Sequence, residues 1–261
     1  MRASAHHTVT QLPVNPVENV RTVSDTKRAF YQIHTRPVNS IYRRVVEELM
    51  VEMHLLSVNV GFQYDPVYAL GVVSSFDRLM RGYRPEKDKD SIFEALCRST
   101  GGDPHQYRRD AEAIAAAARV LSQDDLSAIL TQPETVSIDN PLKHQLQSIS
   151  SASNFKYSRL FAIGLLAAIE QVDAELAKDD KQLPALLSEV SGVLALPEDK
   201  LKKDLELYLS NVGKMEQAQS VMADVLAAER KKRADRERAK AESSQSPEGE
   251  VESQEPETEN S

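Results

Sequence analysis

Hydrophobic residues recur at helical spacing through most of this chain. The clearest segment runs from Ile41 to Val58, where apolar positions follow one another every three or four residues. They are Ile41, Val45, Leu49, Met53 and Leu56, with Val46 and Met50 widening the stripe. No alternating run of Val, Ile, Thr and aromatic residues is long enough to indicate a β-strand. The pattern predicts an all-α protein.

One segment, Asn154–Leu176, is more apolar than the rest and predicts the helix around which the fold is organised. Its residues 160–169 carry no polar side chain at all. A helix that is apolar all round is either a central core helix or a membrane span, and a span needs roughly 20 such residues. Because charged residues bound this run on both sides, we interpret it as the buried axis of a helical domain, with no transmembrane span.

Capping residues place most of the other helices. Asp65–Pro66 and Asp103–Pro104 each combine a side-chain cap with proline at the first helical position, and Ser122 with Asp125 resembles a capping box. Ser24 or Asp25 is the expected cap of the first helix. The predicted helices cover residues 26–33, 41–58, 66–80, 91–98, 104–121, a segment after 122, 141–150 and 183–194, with a charged linker at 83–90.

The pattern changes after residue 200. A heptad seam of alternating four- and three-residue spacings predicts a long helix that either forms a coiled coil or lies on the domain with its first half. Its members are Leu201, Leu205, Tyr208, Val212, Met215, Gln219, Met222 and Leu226. Residues 229–240 follow with seven basic and three acidic side chains, and the last twenty residues hold seven glutamates and no Lys or Arg.

These changes in composition predict four regions. They are a flexible N-terminal arm (1–23), a single helical bundle domain (24–195), a long, partly projecting C-terminal helix with a heptad seam and a basic end (196–241), and an acidic tail without stable structure (242–261). Because seven of the negative charges lie in this tail, the overall net charge of −8 does not describe the rest of the chain.

Residue types that support catalysis are scarce. The single cysteine, Cys97, excludes an internal disulfide and a cysteine-built zinc site, and it favours a reducing compartment. None of the six histidines follows a glutamate at the spacing of a carboxylate-bridged metal site. No phosphate-cradling glycine motif or nucleophile elbow is present. We therefore expect no catalytic residue, no cofactor and no metal, and we interpret Cys97 as a packed structural thiol.

Two basic clusters are the candidate partner-binding surfaces, although solvated helix faces are an alternative interpretation of each. The candidates are Arg230, Lys231, Lys232, Arg233, Arg236 and Arg238, together with Tyr42, Arg43 and Arg44. The cluster at 230–238 is suited to weak contact with an anionic membrane surface or a partner. It is poorly suited to nucleic acid, because it holds no aromatic residue for base stacking and a competing acidic segment follows it.

Several long motifs resemble those of one family. They are TVSDTKRAF from Thr22, RPVNSIYRRVVEELMVEMHLLSV from Arg36, FQYDPVYALGVVSSFDRLMRGY from Phe62, and the shorter IFEALC, DPHQYRRDA and NFKYSRLFAIGLL. The chain is similar to the thylakoid formation proteins of cyanobacteria and chloroplasts, also called photosystem II biogenesis proteins. The resemblance covers residues 22–215.

The resemblance implies an all-helical, non-enzymatic protein needed for thylakoid membranes. It also implies a part in photosystem II repair through an FtsH-type membrane protease complex. The start of the chain lacks the apolar core of a secretory signal and a long plastid leader. We therefore expect a cytoplasmic cyanobacterial protein associated peripherally with thylakoids, or a mature protein of the chloroplast stroma and thylakoid.

The alternative function is pigment or lipid handling, in a cavity lined by Met50, Met53, Phe76 and Tyr68. The absence of tryptophan and the low aromatic content of 5% make a pigment pocket unattractive.

Overall fold

The computed structural model describes residues 21–243, with side chains through Arg238. These residues form ten α-helices and one short 3-10 helix, Leu176–Lys178, without a strand, so the predicted all-α class is confirmed. The helices are α1 Val23–Ile33, α2 Ser40–Ser57, α3 Pro66–Leu79, α4 Asp88–Ser99, α5 Pro104–Arg119, α6 Gln123–Thr131, α7 Pro141–Ser150, α8 Arg159–Val172, α9 Gln182–Val193 and α10 Glu198–Ser243.

The predicted central helix is α8. Every residue from Leu160 to Ile169 is buried, and α8 packs against α3, α5 and α6. The helix is shorter than the apolar segment suggested, because residues 154–158 precede it without helical structure. Ser158 provides the N-cap, since its hydroxyl accepts a hydrogen bond from the backbone N–H of Phe161 at 3.0 Å.

Helices α3 and α8 approach each other closely, backbone against backbone, at two glycines. A Cβ atom added to Gly164 would lie 1.8 Å from the carbonyl oxygen of Val67, and one added to Gly71 would lie 1.7 Å from that of Leu160. Only glycine fits at either position, because the obstructing atoms belong to backbone and cannot rotate away. Two glycines ninety-three residues apart in sequence thus set the distance between the two core helices.

Most of the predicted helix starts are confirmed, and two are wrong. Asp65, Asp103 and Ser122 cap α3, α5 and α6 as expected. The first helix begins at Val23 instead of Thr26, because Thr22 forms a reciprocal capping box with Asp25. Helix α4 begins at Asp88 instead of Ser91, so the end of the expected linker is its first turn.

Helix α5 is rich in alanine and packs against two neighbouring helices. Ala111, Ala115, Ala117 and Ala118 are buried, and the helix contacts both α3 and α8. Small side chains allow three helices to meet closely here. Aromatic pairs also contribute to the core, among them Phe76 of α3 with Phe93 of α4 at 5.0 Å between ring centroids.

The chain divides into two compact units, one ending at Ser210 and the other beginning at Asn211. The first unit contains α1 to α9 and the start of α10, where Leu201, Leu205 and Tyr208 are buried. The second contains the rest of α10, whose exposure increases along its length. A long C-terminal helix is therefore confirmed. Most of the predicted N-terminal arm and nearly all of the acidic tail lie outside the described residues.

Candidate functional site

The basic end of α10, residues 230–238, is the most strongly charged surface that the structure describes. All nine residues are exposed. One ion pair lies within the segment, where Arg233 Nε is 3.0 Å from a carboxylate oxygen of Glu237, one helical turn away. Such an exposed pair contributes little stability, about 0.3–0.5 kcal/mol. The segment therefore presents a surplus of exposed, hydrated cations, which favours long-range attraction of an anionic partner.

An apolar stripe precedes this basic end on the same helix. Val221, Val225 and Leu226 are each at least half exposed, and Met222 is partly exposed. The heptad positions before them, Val212 and Met215, are buried. A basic segment next to exposed apolar side chains gives this part of α10 both the charge and the apolar surface that a partner-binding helix needs.

The second candidate cluster is divided by the fold. Arg43 and Arg44 are exposed on α2, and Arg44 is paired with Glu48 at 2.8 Å. Tyr42 is 3% exposed and packs edge-on against Tyr83, while its hydroxyl donates a hydrogen bond to the carbonyl of Arg81. The structure therefore places Tyr42 in the core and leaves the two arginines as the surface part of this cluster.

Groups that could carry covalent or metal chemistry are buried or scattered among residues 21–243. Cys97 is fully buried, and burial raises the pKa of its thiol to about 12, so the reactive thiolate is disfavoured. No group of three His, Cys, Asp or Glu side chains in this range is arranged to hold a metal ion. His54 is buried with its Nδ1 atom 2.8 Å from the Thr26 hydroxyl, which is a structural contact.

A half-buried polar cluster was not identified from the sequence. Arg159, at the start of α8, holds Glu52 of α2 with two contacts of 3.0 and 2.5 Å. Tyr157 donates a hydrogen bond to Asp204 of α10 at 2.8 Å, and Lys200 pairs with the same carboxylate at 2.9 Å. The pKa of Glu52 is raised because its burial outweighs the attraction of Arg159. The charges balance, so the cluster joins three helices and offers no unpaired charge to a ligand.

One signal of this cluster is present in the sequence. Glu52 lies three residues after Leu49 and four before Leu56, so it falls on the apolar stripe of α2. A carboxylate at such a position predicts a buried partner. Residue spacing could not identify the partner of Glu52, because Arg159 lies 107 residues away in the sequence.

A polar groove of about 350 Å³ lies between α3, α5 and α8. Arg78 forms a bidentate pair with Glu170 at 3.0 and 2.9 Å, and Arg108 pairs with Asp77 at 2.6 Å while it covers the ring of Phe93. These opposite charges pair with one another, so the side chains of the groove connect neighbouring helices.

The four residues proposed to line a pigment cavity are packed core residues. Met50, Met53, Phe76 and Tyr68 are each 1% exposed. The Tyr68 ring contacts Phe62, Tyr64 and Tyr107, with ring centroids 4.9 to 6.0 Å apart. The burial of all four residues and the ring contacts of Tyr68 identify them as packed residues of the core.

None of the helices within residues 21–243 is long and apolar enough to cross a membrane.

Comparison with known protein families identifies one family whose profile covers most of the chain. The profile of a family described as "Thylakoid formation protein" matches residues 22–237. The chain belongs to this family. Its resemblance to thylakoid formation proteins is thereby confirmed over a longer span than the sequence motifs covered.

Related thylakoid formation proteins are similar over most of their length. Protein Thf1 of Trichormus variabilis is 59% identical over 220 residues, which cover 84% of this chain and 94% of the relative. Protein Thf1 of Gloeothece citriformis is 54% identical over 218 residues, covering 83% and 96%. A solved structure of Psb29 is 44% identical, covers 82% of this chain and 99% of its own, and superposes with a TM-score of 0.70.

Proposed function

We propose that this protein is a non-enzymatic adaptor in thylakoid membrane biogenesis and photosystem II repair. It associates peripherally with the thylakoid membrane from the cytoplasmic side and stabilises an FtsH-type protease complex. The proposal extends the description of the family, which names thylakoid formation. The observation that carries it is the exposed basic end of α10 next to exposed Val221, Val225 and Leu226.

The charge and the apolar side chains of this surface determine how it associates with a partner. Exposed cations accelerate encounter with an anionic partner, and the effect weakens as salt screens it over a Debye length of about 8 Å at physiological ionic strength. The neighbouring apolar side chains then slow dissociation by losing contact with water. Binding of this kind holds a complex together without any reacting group, which agrees with the buried, high-pKa thiol of Cys97.

The test is capture of the protease from thylakoid extract by the purified full chain. A triple variant, Lys231→Gln, Lys232→Gln and Arg236→Gln, removes three charges from the basic end of α10. The matched control, Arg28→Gln, Lys178→Gln and Lys203→Gln, removes three exposed charges from the first unit. We expect wild type and control to capture the protease and the first triple variant to lose most of it.

Two other outcomes are decisive. If both triple variants capture the protease equally, the contact does not involve the basic end, and the double variant Arg43→Gln and Arg44→Gln tests the cluster on α2. If wild type captures no FtsH-type protease at low salt, the adaptor proposal fails.

A further inference from the structure

A small cleft lies between the end of α1 and the start of α4, in the first unit of the chain. Its volume is about 260 Å³, which is large enough for a small polyatomic ion. The lining is mostly polar and consists of Ile33, His34, Thr35, Arg36, Lys87, Asp88 and Ser91. None of these residues has a part in the function proposed above.

His34 has an incomplete set of hydrogen bonds in this lining. The side chain is 2% exposed, and its Nδ1 atom lies 3.0 Å from the hydroxyl of Ser91. The other ring nitrogen, Nε2, is buried and has no protein partner. A buried polar atom without a partner lowers stability, so a bound group that pairs with Nε2 is favoured.

The other polar side chains in the lining are mainly hydrogen-bond donors. Arg36 contacts the buried carboxylate of Asp88 through Nη1 at 2.5 Å. A guanidinium group has five N–H donors, so this contact orients the arginine and leaves donor capacity. Lys87 and Thr35 also line the cleft and bring an ammonium and a hydroxyl donor, whereas the Ser91 hydroxyl is engaged with Nδ1 of His34. With two cations against one carboxylate, the lining is positive while His34 is neutral.

The start of α4 adds its helix dipole to this potential, and Asp90 in the same turn, outside the lining, partly offsets it. The helix has twelve residues, and its N-cap position, Lys87, makes no side-chain capping hydrogen bond. The N–H groups of Asp88 and Lys89 are bonded to the carbonyls of Pro85 and Glu86, so the helix acts through its dipole instead of free N–H groups. A helix N-terminus carries roughly half a positive charge and favours anions.

We propose that this cleft binds a small tetrahedral oxyanion, such as phosphate or sulfate, between Arg36, Lys87 and the imidazole of His34. The anion accepts from Arg36, Lys87 and the Thr35 hydroxyl. Ser91 donates to Nδ1 of neutral His34, so the proton of His34 is on Nε2 and is donated to the anion. The Asp88 carboxylate holds Arg36 in place and limits the affinity, because it is itself negative. Lys89 does not line the cleft and is paired with Glu86 at 2.7 Å, so it offers a control next to the site.

Binding is measured by titrating the full chain with inorganic phosphate at constant ionic strength. Calorimetry gives the affinity, and NMR monitors the histidine side chains during the titration. We expect saturable binding that Arg36→Gln weakens roughly tenfold or more, because a charge-assisted hydrogen bond is lost. Lys87→Gln weakens binding less, and Lys89→Gln leaves it unchanged. Arg36 and Lys87 are exposed, so these variants are expected to fold.

The imidazole gives an independent readout. Burial lowers the pKa of His34, which faces Asp88 and Arg36 across the cleft with Lys87 beside them. A bound anion favours the charged imidazolium, so phosphate should raise the His34 pKa in wild type and in Lys89→Gln but much less in Arg36→Gln. A purely structural role of Arg36 would not produce this difference.

Competition experiments distinguish a free ion from a lipid headgroup as the source of the oxyanion. If vesicles of phosphatidylglycerol displace phosphate and vesicles of phosphatidylcholine do not, the natural ligand is a lipid headgroup, whereas a lack of displacement indicates a free ion. The proposal is overturned if phosphate does not bind saturably, or if Arg36→Gln and Lys89→Gln have equal effects.

Discussion

Replacing Gly164 with alanine tests whether backbone contact between α3 and α8 controls the stability of the domain. The new Cβ atom would lie 1.8 Å from the carbonyl oxygen of Val67 and 2.9 Å from the backbone nitrogen of Gly71. To reach 3.4 Å from the oxygen, where ordinary van der Waals contact begins, α8 would have to move away from α3 by about 1.6 Å. A separation of that size removes most of the dispersion energy between the facing side chains of the two helices.

The expected loss can be estimated from these contacts. Overpacking a core costs about 1–3 kcal/mol, occasionally more, and a backbone obstacle places Gly164 at or above the upper end. Alanine recovers about 1 kcal/mol through its better helix propensity. The net loss is therefore at least about 2 kcal/mol, a large part of the 5–15 kcal/mol typical of a folded domain. For a domain of this size the midpoint of thermal unfolding should fall by about 4–8 °C.

Gly192 provides a matched control for the same substitution. It lies exposed in α9, and a Cβ atom there meets nothing within 4 Å. Gly192→Ala should therefore leave stability unchanged or raise it by up to about 1 kcal/mol. Urea unfolding followed by circular dichroism measures both variants, with similar m-values expected. The reasoning is refuted if Gly164→Ala is as stable as wild type, or if both variants shift stability by the same amount.

Three further predictions concern single side chains. Thr22→Ala should cost about 1 kcal/mol of unfolding free energy because it removes the cap of α1, whereas Ser24→Ala, at the position expected from sequence, should cost almost nothing in the same urea experiment. Burial raises the pKa of Asp65 to about 6, above the 3.8 of an unperturbed aspartate, so protonation stabilises the native state as the pH falls between these values. Relative to Asp65→Asn, which still caps α3, wild type should gain about 2 kcal/mol as the pH falls from 6 to 4, and a constant difference would contradict this. Cys97 should react with a thiol reagent at pH 8 only as fast as the protein unfolds, and rapid labelling of the native chain would contradict its burial and raised pKa.

The adaptor proposal and the oxyanion cleft are independent of each other. The first depends on residues 230–238 in the second unit, and the second on His34, Arg36 and Lys87 in the first. Loss of protease capture therefore says nothing about phosphate binding, and the two experiments can fail separately.

Sequence patterns were sufficient for the features that depend on neighbours a few residues apart. Asp65–Pro66 and Asp103–Pro104 started helices where expected, because a capping carboxylate and the backbone N–H that donates to it are at most three residues apart. The start of α1 was misplaced because Ser24 and Asp25 are also good capping residues. The reciprocal contact of Thr22 with Asp25 decides between them, and only the structure shows it.

The sequence by itself determined the all-helical class, the apolar run of α8 and its burial, and the change from a heptad seam to a basic end in α10. Each is a local property, since helical periodicity and charge density are read from consecutive residues. Only the tertiary structure decided which distant residues meet. Gly71 meets Gly164, Glu52 meets Arg159, and His34 meets Ser91, because close packing of long helices brings together side chains that no spacing rule connects.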